Sequence, residues 1–149
     1  MIHKKDLLLS IIENSCLLLG RFLMGSYFIL PAVSKINKFD GTMTYMEQHN
    51  VPMISVLLVV TIIIQLVAGA AIIVGFKGKI AAFILAGLTL IISLYMHDFW
   101  VMEEGLARSH ELQNLFKNMG IMAGLLMITG LGTGKYSIDQ HNAIQSDGH

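Results

Sequence analysis

The chain has 149 residues, of which 54% are hydrophobic and only 13% are charged, and its formal net charge is zero. Soluble domains average about 25% charged residues, so this composition is typical of a membrane protein of one domain. The balanced charge gives no basic patch or stripe for a nucleic-acid partner. The single cysteine, Cys16, excludes an internal disulfide or CxxC pair, and with it a four-helix thiol oxidoreductase that passes disulfides to quinone.

Four apolar stretches follow one another along the chain, at residues 14–34, 54–75, 80–96 and 112–131. A bilayer core of about 30 Å is crossed by about 20 apolar residues in a helix, so each stretch is long enough to span it. The link between the second and third stretches is very short, so these helices must be antiparallel neighbours. The sequence predicts an all-α membrane protein, a four-transmembrane-helix antiparallel bundle forming one domain over 1–149, with a tail at 132–149.

Four spans place both termini on the same side of the membrane. That side carries the basic residues Lys4, Lys5, Lys77, Lys79 and Lys135, and the other side carries Lys35, Lys38 and Arg108 among many acidic residues. By the positive-inside rule, we expect both termini to lie in the cytoplasm.

Arg21 lies inside the first apolar stretch, where a charge near mid-bilayer costs about 2.5–3.5 kcal/mol on insertion scales. Counting residues from the cytoplasmic ends places Arg21 roughly 10 Å deep and Gln65 of the second span roughly 15 Å deep. A hydrogen bond between the two is therefore geometrically reasonable, and Arg21 would face the bundle interior. The alternative is that Arg21 extends back to the cytoplasmic headgroups.

Further polar residues lie at the outer ends of the third and fourth spans. Lys117 and Asn118 are one to two turns inside the fourth span, and Lys117 either extends outward or lines the same interior as Arg21. His97, followed by Asp98, is either a structural boundary residue or a group that moves protons near neutral pH. The acidic segment from Asp98 to Glu111 matches no compact metal motif, so it predicts a solvated loop and no metal site.

Small residues recur at four-residue spacing, as in Gly120 and Gly124 of the fourth span and Ala82 and Ala86 of the third. Such pairs let helix backbones approach closely. They serve either packing within the chain, which we favour, or docking of another subunit.

The ordered motifs of the chain resemble those of the DoxX family of small four-helix membrane proteins. The resemblance covers roughly residues 15–139. It is carried by Gly20-Arg21, Ser34-Lys35 with Phe39, Val51-Pro52, Gly69 with Ile72-Ile73-Val74-Gly75, His97-Asp98-Phe99-Trp100, Asn118, and the terminal Gly134-Lys135-Tyr136-Ser137-Ile138-Asp139. The family often has Glu where this chain has Gln65, so the natural counter-ion for Arg21 is missing.

The resemblance implies a bacterial inner-membrane protein. It also implies a redox role, since DoxD-type relatives are membrane subunits of a thiosulfate:quinone oxidoreductase and other relatives are associated with redox complexes. On this reading the chain is a subunit of a redox complex that is linked to a quinone or a sulfur oxyanion, and it has no redox centre of its own. Its polar site would be Arg21, Gln65, His97, Lys117 and Asn118, and its one candidate cofactor would be a quinone. The alternatives are a non-catalytic assembly subunit that docks other membrane subunits or a second copy through Gly120 and Gly124, and a small oligomeric transporter.

Overall fold

A computed structural model describes residues 4–146, which form six α-helices and one short 3₁₀ helix. The helices are α1 (Lys4–Asn37), α2 (Phe39–Gln48), α3 (Ile54–Val74), α4 (Gly78–Met96), α5 (Leu106–Leu131) and α6 (Ile138–Ser146), and the 3₁₀ helix is Phe99–Val101. The four longest, α1, α3, α4 and α5, are long and apolar enough to cross a membrane. The predicted all-α architecture with four spans is therefore confirmed.

The four long helices alternate in direction, which gives the bundle two distinct ends. We call one the terminal end: it holds the start of α1, the turn between α3 and α4, the end of α5, and α6. We call the other the α2 end: it holds α2, the 3₁₀ helix and the start of α5. Each group of polar side chains described below lies near one of these ends.

Helices α1 and α3 pack closely because glycines face each other across their contact. A Cβ built on Gly25 would lie 2.5 Å from the carbonyl oxygen of Gly69, and one built on Gly69 would lie 3.1 Å from that of Gly25. No larger residue fits at Gly25 without separating the helices. In lipid, where helices gain little hydrophobic energy by associating, such close backbone contact is a main source of packing energy.

The core continues from α3 through α4 to α5 and is built from small and medium apolar residues. Its buried members are Phe28, Ala68, Ile72, Ala81, Ala82, Leu85, Ala86 and Leu125. The alanine pair at four-residue spacing in α4 is buried inside the chain, as expected for packing within the bundle. Within Leu106–Leu131, Leu125 is the one buried residue, so α5 is the span that the rest of the chain covers least.

Three features described here differ from the sequence-based expectation. The first span is part of one continuous 34-residue helix, Lys4–Asn37, which begins well before residue 14 and contains Pro31. The amphipathic helix α2 was not predicted, because its ten residues have low hydropathy and resemble a loop in composition. The tail beyond Leu131 is also more than a linker, since it turns back and packs against the terminal end.

Candidate functional site

Arg21 is buried inside the protein at the terminal end, with 2% of its surface exposed. Its Nη2 donates a hydrogen bond to the backbone carbonyl of Tyr136 in the tail. Its Nη1 lies against Gly75, the left-handed residue that ends α3, where any Cβ would overlap the guanidinium. The negative end of the α3 dipole is therefore next to the cation.

The structure does not bring Arg21 and Gln65 together, so the expected hydrogen bond between them is wrong. The Arg21 side chain extends toward the terminal end, whereas Gln65 lies near the middle of α3 and accepts its hydrogen bond from Lys35. Arg21 faces the bundle interior, since it is 2% exposed, and it does not extend to the headgroups as in the alternative. Its partner is the tail of its own chain.

Asp139 fastens the same tail to the bundle. Its carboxylate accepts hydrogen bonds from the backbone N–H groups of Lys77 and Gly78, at 2.7 and 2.9 Å, at the start of α4. Its own N–H donates to the carbonyl of Gly75 at 2.9 Å, and its charge acts on the Arg21 guanidinium. Arg21 and Asp139 together form what we call the tail clasp, which closes the terminal end.

A second polar region surrounds a cavity of about 720 Å³ toward the α2 end. The cavity lies between α1, α2, α3 and α4, and its walls are mainly apolar. The polar and aromatic residues that line it are Tyr27, Phe28, Lys35, Thr42, Tyr45, Thr61, Gln65, Thr89, Tyr95, His97 and Asn118. Its size and its few convergent polar groups are those of a small-molecule site.

The deepest polar contact in the cavity joins Lys35 to Gln65. The Lys35 ammonium donates to the Gln65 side-chain oxygen at 3.2 Å, and Gln65 is only 5% exposed. Among residues 4–146, no carboxylate lies within 4.0 Å of Lys35. The Lys35 ammonium is therefore hydrogen-bonded to an amide, and its charge is not neutralised by an acid. The cavity beside it is suited to an anion or a carbonyl oxygen.

A ladder of hydrogen bonds on α4 links the cavity to α5. Asn118 donates to the Ser93 hydroxyl at 2.9 Å, and Ser93 in turn donates to the Thr89 carbonyl at 2.6 Å. Ser93 is 1% exposed, so its bonds are made away from water. Asn118 therefore both lines the cavity and fixes α5 on α4.

Two histidine–carboxylate pairs close the α2 end. His97 Nδ1 lies 2.7 Å from Glu111 Oε2, and His49 Nδ1 lies 3.4 Å from Asp98 Oδ1. Helix α5 begins at Leu106, so the expectation of a solvated loop from Asp98 to Glu111 is wrong for residues 106–111. Both side chains are partly exposed, at 17% and 20%, so the pair lies between the cavity and the surface at this end.

The outer aromatic residue Tyr45 packs its ring on His49, with 4.8 Å between the ring centroids. Burial, together with the nearby charges of Glu111 and Asp98, raises the pKa of the Tyr45 phenol. The phenol therefore stays neutral at physiological pH and can donate a hydrogen bond into the cavity that it lines.

The other predicted residues lie outside the cavity. Lys117 is exposed on α5, which agrees with the expectation that it extends outward and not with a place beside Arg21. A Cβ on Gly124 would meet Met24 of α1 at 2.8 Å, so Gly124 faces the chain's own bundle. Gly120 is exposed, with open space around it.

Sequence reasoning missed Lys35 as a site residue, although a signal for it was present. The buried face of α1 runs through Arg21, Gly25, Phe28 and Ala32, at spacings of four, three and four residues. The next position on that face is Lys35, three residues later. Counting Lys35 only as a charge at the membrane edge concealed its position on the inward face.

Comparisons with known proteins identify the family of this chain. The model of the DoxX family matches residues 16–98, which is more than half of the chain. The chain belongs to the DoxX family. It is 32% identical to the inner membrane protein YqjF of Escherichia coli over 87% of this chain and 93% of that protein. It is 28% identical to the inner membrane protein YphA of the same organism, over 83% and 88%.

A more remote likeness reaches eukaryotes. The chain is 33% identical to a Surfeit locus protein 4 homolog of Drosophila melanogaster, over 59% of this chain and 33% of that protein. No solved structure matches. The four apolar helices and the inner-membrane relatives together make this DoxX chain a multi-pass membrane protein.

Proposed function

We propose that this DoxX protein is the quinone-binding membrane subunit of a redox complex and carries no redox centre of its own. The observation that supports the proposal is the Lys35–Gln65 pair in an apolar cavity of about 720 Å³. A quinone ring suits apolar walls, and its carbonyl oxygens accept hydrogen bonds. A sulfur oxyanion fits less well, because Lys35 is the one lysine or arginine among the described residues that line the cavity.

The side chains around the cavity would have different roles in binding the quinone and in moving its proton. Lys35 would donate to one quinone carbonyl, and Tyr45 and Asn118 would offer further donors from the other walls. His97, held by Glu111, would supply or remove the proton that accompanies reduction or oxidation of the ring. Electrons would come from a partner subunit, so any oxidoreductase activity would belong to the complex.

Orientation and location complete the proposal. The protein would lie in a bacterial inner membrane with both termini in the cytoplasm, because the terminal end carries Lys77, Lys79 and Lys135. The proton-passing pair at the α2 end would then face the periplasm.

Quinone binding to the purified protein in nanodiscs tests the proposal. A decyl-substituted benzoquinone is titrated against wild type and Lys35→Met, with Lys38→Met as a control for an exposed lysine at the same end. A hydrogen bond to a charged group is worth about 1.5–3 kcal/mol, so Lys35→Met should weaken binding by roughly 10- to 150-fold. Absence of binding to wild type, or equal binding to Lys35→Met, contradicts the proposal.

A second candidate function is that of an assembly subunit, and the exposed face of α5 favours it. Gly120 lies in open space between the exposed apolar side chains of Phe116 and Met127. A helix of a larger membrane subunit could pack closely there. Gly124, in contrast, is already used against Met24.

Co-purification from native membranes discriminates this candidate. Gly120→Leu should abolish recovery of a stoichiometric partner, whereas Gly87→Leu, at an exposed glycine of α4 with equally open space, should not. Recovery of the same partner with both variants would exclude docking through this face.

A further inference from the structure

A second cavity lies at the terminal end and is separate from the proposed quinone site. It has a volume of about 660 Å³ and is lined by the start of α4, the end of α5 and the first residues of the tail. Three lysines line it: Lys77, Lys79 and Lys135. Lys77 and Lys79 are neighbours at the start of α4, and the fold brings Lys135 of the tail beside them.

The three ammonium groups carry charge that the described part of the chain does not neutralise. Lys79 Nζ donates to the Gly130 carbonyl at 3.4 Å, and Lys135 Nζ donates to the Ser10 hydroxyl at 3.2 Å. Over residues 4–146, no carboxylate lies within 4.0 Å of any of the three. The Lys77 ammonium lies over the Phe76 ring, 5.7 Å from its centroid. None of these contacts is with an acid, so the charge of the three groups stays available.

Among residues 4–146, Asp139 is the one acid that lines this cavity. Both of its carboxylate oxygens already accept hydrogen bonds from the backbone N–H groups at the start of α4. The lining therefore keeps an excess of two positive charges, and the site is suited to an anion.

The surroundings of the cavity indicate the source of that anion. Ile80 and Leu131 also line it, are 60% and 78% exposed, and belong to membrane-crossing helices. An anion bound between the lysines would thus lie directly beside an apolar surface that faces lipid. A phospholipid has this combination, a phosphate attached to acyl chains.

We propose that the terminal-end cavity binds the phosphate group of an anionic phospholipid, with Lys77, Lys79 and Lys135 as its ligands and Ile80 and Leu131 against the acyl chains. The site does not depend on the quinone proposal. It gives the tail a role, because a lipid that bridges Lys135 to Lys77 and Lys79 holds the tail on the bundle.

Native mass spectrometry of protein released from nanodiscs tests the site. The nanodiscs contain equal amounts of phosphatidylglycerol and phosphatidylcholine, and retained lipid is counted for each protein. Each lysine near the membrane surface contributes roughly fivefold in affinity for an anionic headgroup, so wild type should prefer phosphatidylglycerol by about 100-fold. The triple variant Lys77→Gln, Lys79→Gln, Lys135→Gln should lose this preference.

The control variant Lys4→Gln, Lys5→Gln removes two lysines from the same end, outside the cavity, and should keep the preference. An equal loss in this control, or an unchanged preference in the triple variant, overturns the proposal. If the triple variant does not fold, Lys79→Gln alone should still lower the preference about fivefold.

Inorganic phosphate distinguishes the two sources of the anion. In neutral detergent without lipid, millimolar phosphate should leave the melting temperature of wild type unchanged, because it lacks the acyl chains that Ile80 and Leu131 contact. A rise in the melting temperature of wild type that is absent from the triple variant would show a free-phosphate site and would overturn the lipid assignment.

Discussion

Replacing Asp139 should open the tail clasp while leaving the four spans in place. In Asp139→Ala, the first two N–H groups of α4 lose an ionised acceptor, and Arg21 loses the nearest negative charge that acts on it. Loss of a helix cap costs about 1 kcal/mol, and a bond to a charged group is worth about 1.5–3 kcal/mol. Asp139 is only half-buried, so hydrogen bonds to water recover part of this lost free energy. We expect a total of about 2 kcal/mol, or roughly a 30-fold rise in the open population.

The conservative variant Asp139→Asn separates the two contributions. Asparagine keeps an acceptor for one N–H but has no charge, so its effect should be about 1 kcal/mol, or roughly fivefold. Asp40→Ala is the matched control, since Asp40 is an exposed acid in the first turn of α2 at the opposite end.

Amide hydrogen exchange in nanodiscs provides the assay, because the amides of Lys77 and Gly78 report directly on the clasp. Their exchange should accelerate about 30-fold in Asp139→Ala and about fivefold in Asp139→Asn, and remain at the wild-type rate in Asp40→Ala. An acceleration of less than about threefold in Asp139→Ala would refute the reasoning. So would an equal acceleration along the middle of α3, since that would indicate general destabilisation.

Three further predictions concern packing, titration and the α4–α5 contact. Gly25→Val should destabilise the bundle by about 3 kcal/mol in a detergent unfolding titration, whereas Gly87→Val, in open space, should change it little; equal effects would contradict the proposed close contact. Burial raises the pKa of Tyr45, so its contribution to stability is complete below the ordinary phenol pKa of about 10 and is lost as the pH rises through the higher folded value. Wild type should therefore lose more stability than Tyr45→Phe above about pH 10, and parallel profiles would contradict this. Asn118→Ala should cost about 1 kcal/mol of unfolding free energy, and additivity with Ser93→Ala in a double-mutant cycle would show that their hydrogen bond contributes nothing.

Arg21 shows why the sequence could locate a polar site but could not identify the contacts made there. A cation in an apolar stretch must find a partner, and this was evident from the sequence. The partner itself, the carbonyl of Tyr136, lies 115 residues away, and a backbone carbonyl has no sequence signature. Depth counted along straight helices suggested Gln65, because such a count ignores the direction in which a long side chain extends.

Lys35 and Glu111 are residues whose contacts the sequence did not reveal. Both looked like ordinary charges near a membrane boundary. Only the packing of α1 against α3 directs Lys35 toward Gln65, and only the start of α5 at Leu106 brings Glu111 within 2.7 Å of His97. Periodicity along α1 carried a signal for Lys35, whereas nothing local pairs Glu111 with a residue of another helix.

By itself, the sequence determined the four membrane-crossing helices, the antiparallel order set by the short turn between α3 and α4, and the membership of a family of membrane proteins. The spans and their order follow from length and hydropathy, because a bilayer admits few solutions for a long apolar chain, and the family follows from the order of the motifs. The tertiary structure alone decided that Arg21 and Asp139 fasten the tail, that Lys35 faces a cavity, and that Lys135 shares another cavity with Lys77 and Lys79. Such contacts depend on the rotation and depth of each helix relative to its neighbours, which close packing at glycines such as Gly25 and Gly69 fixes and hydropathy does not.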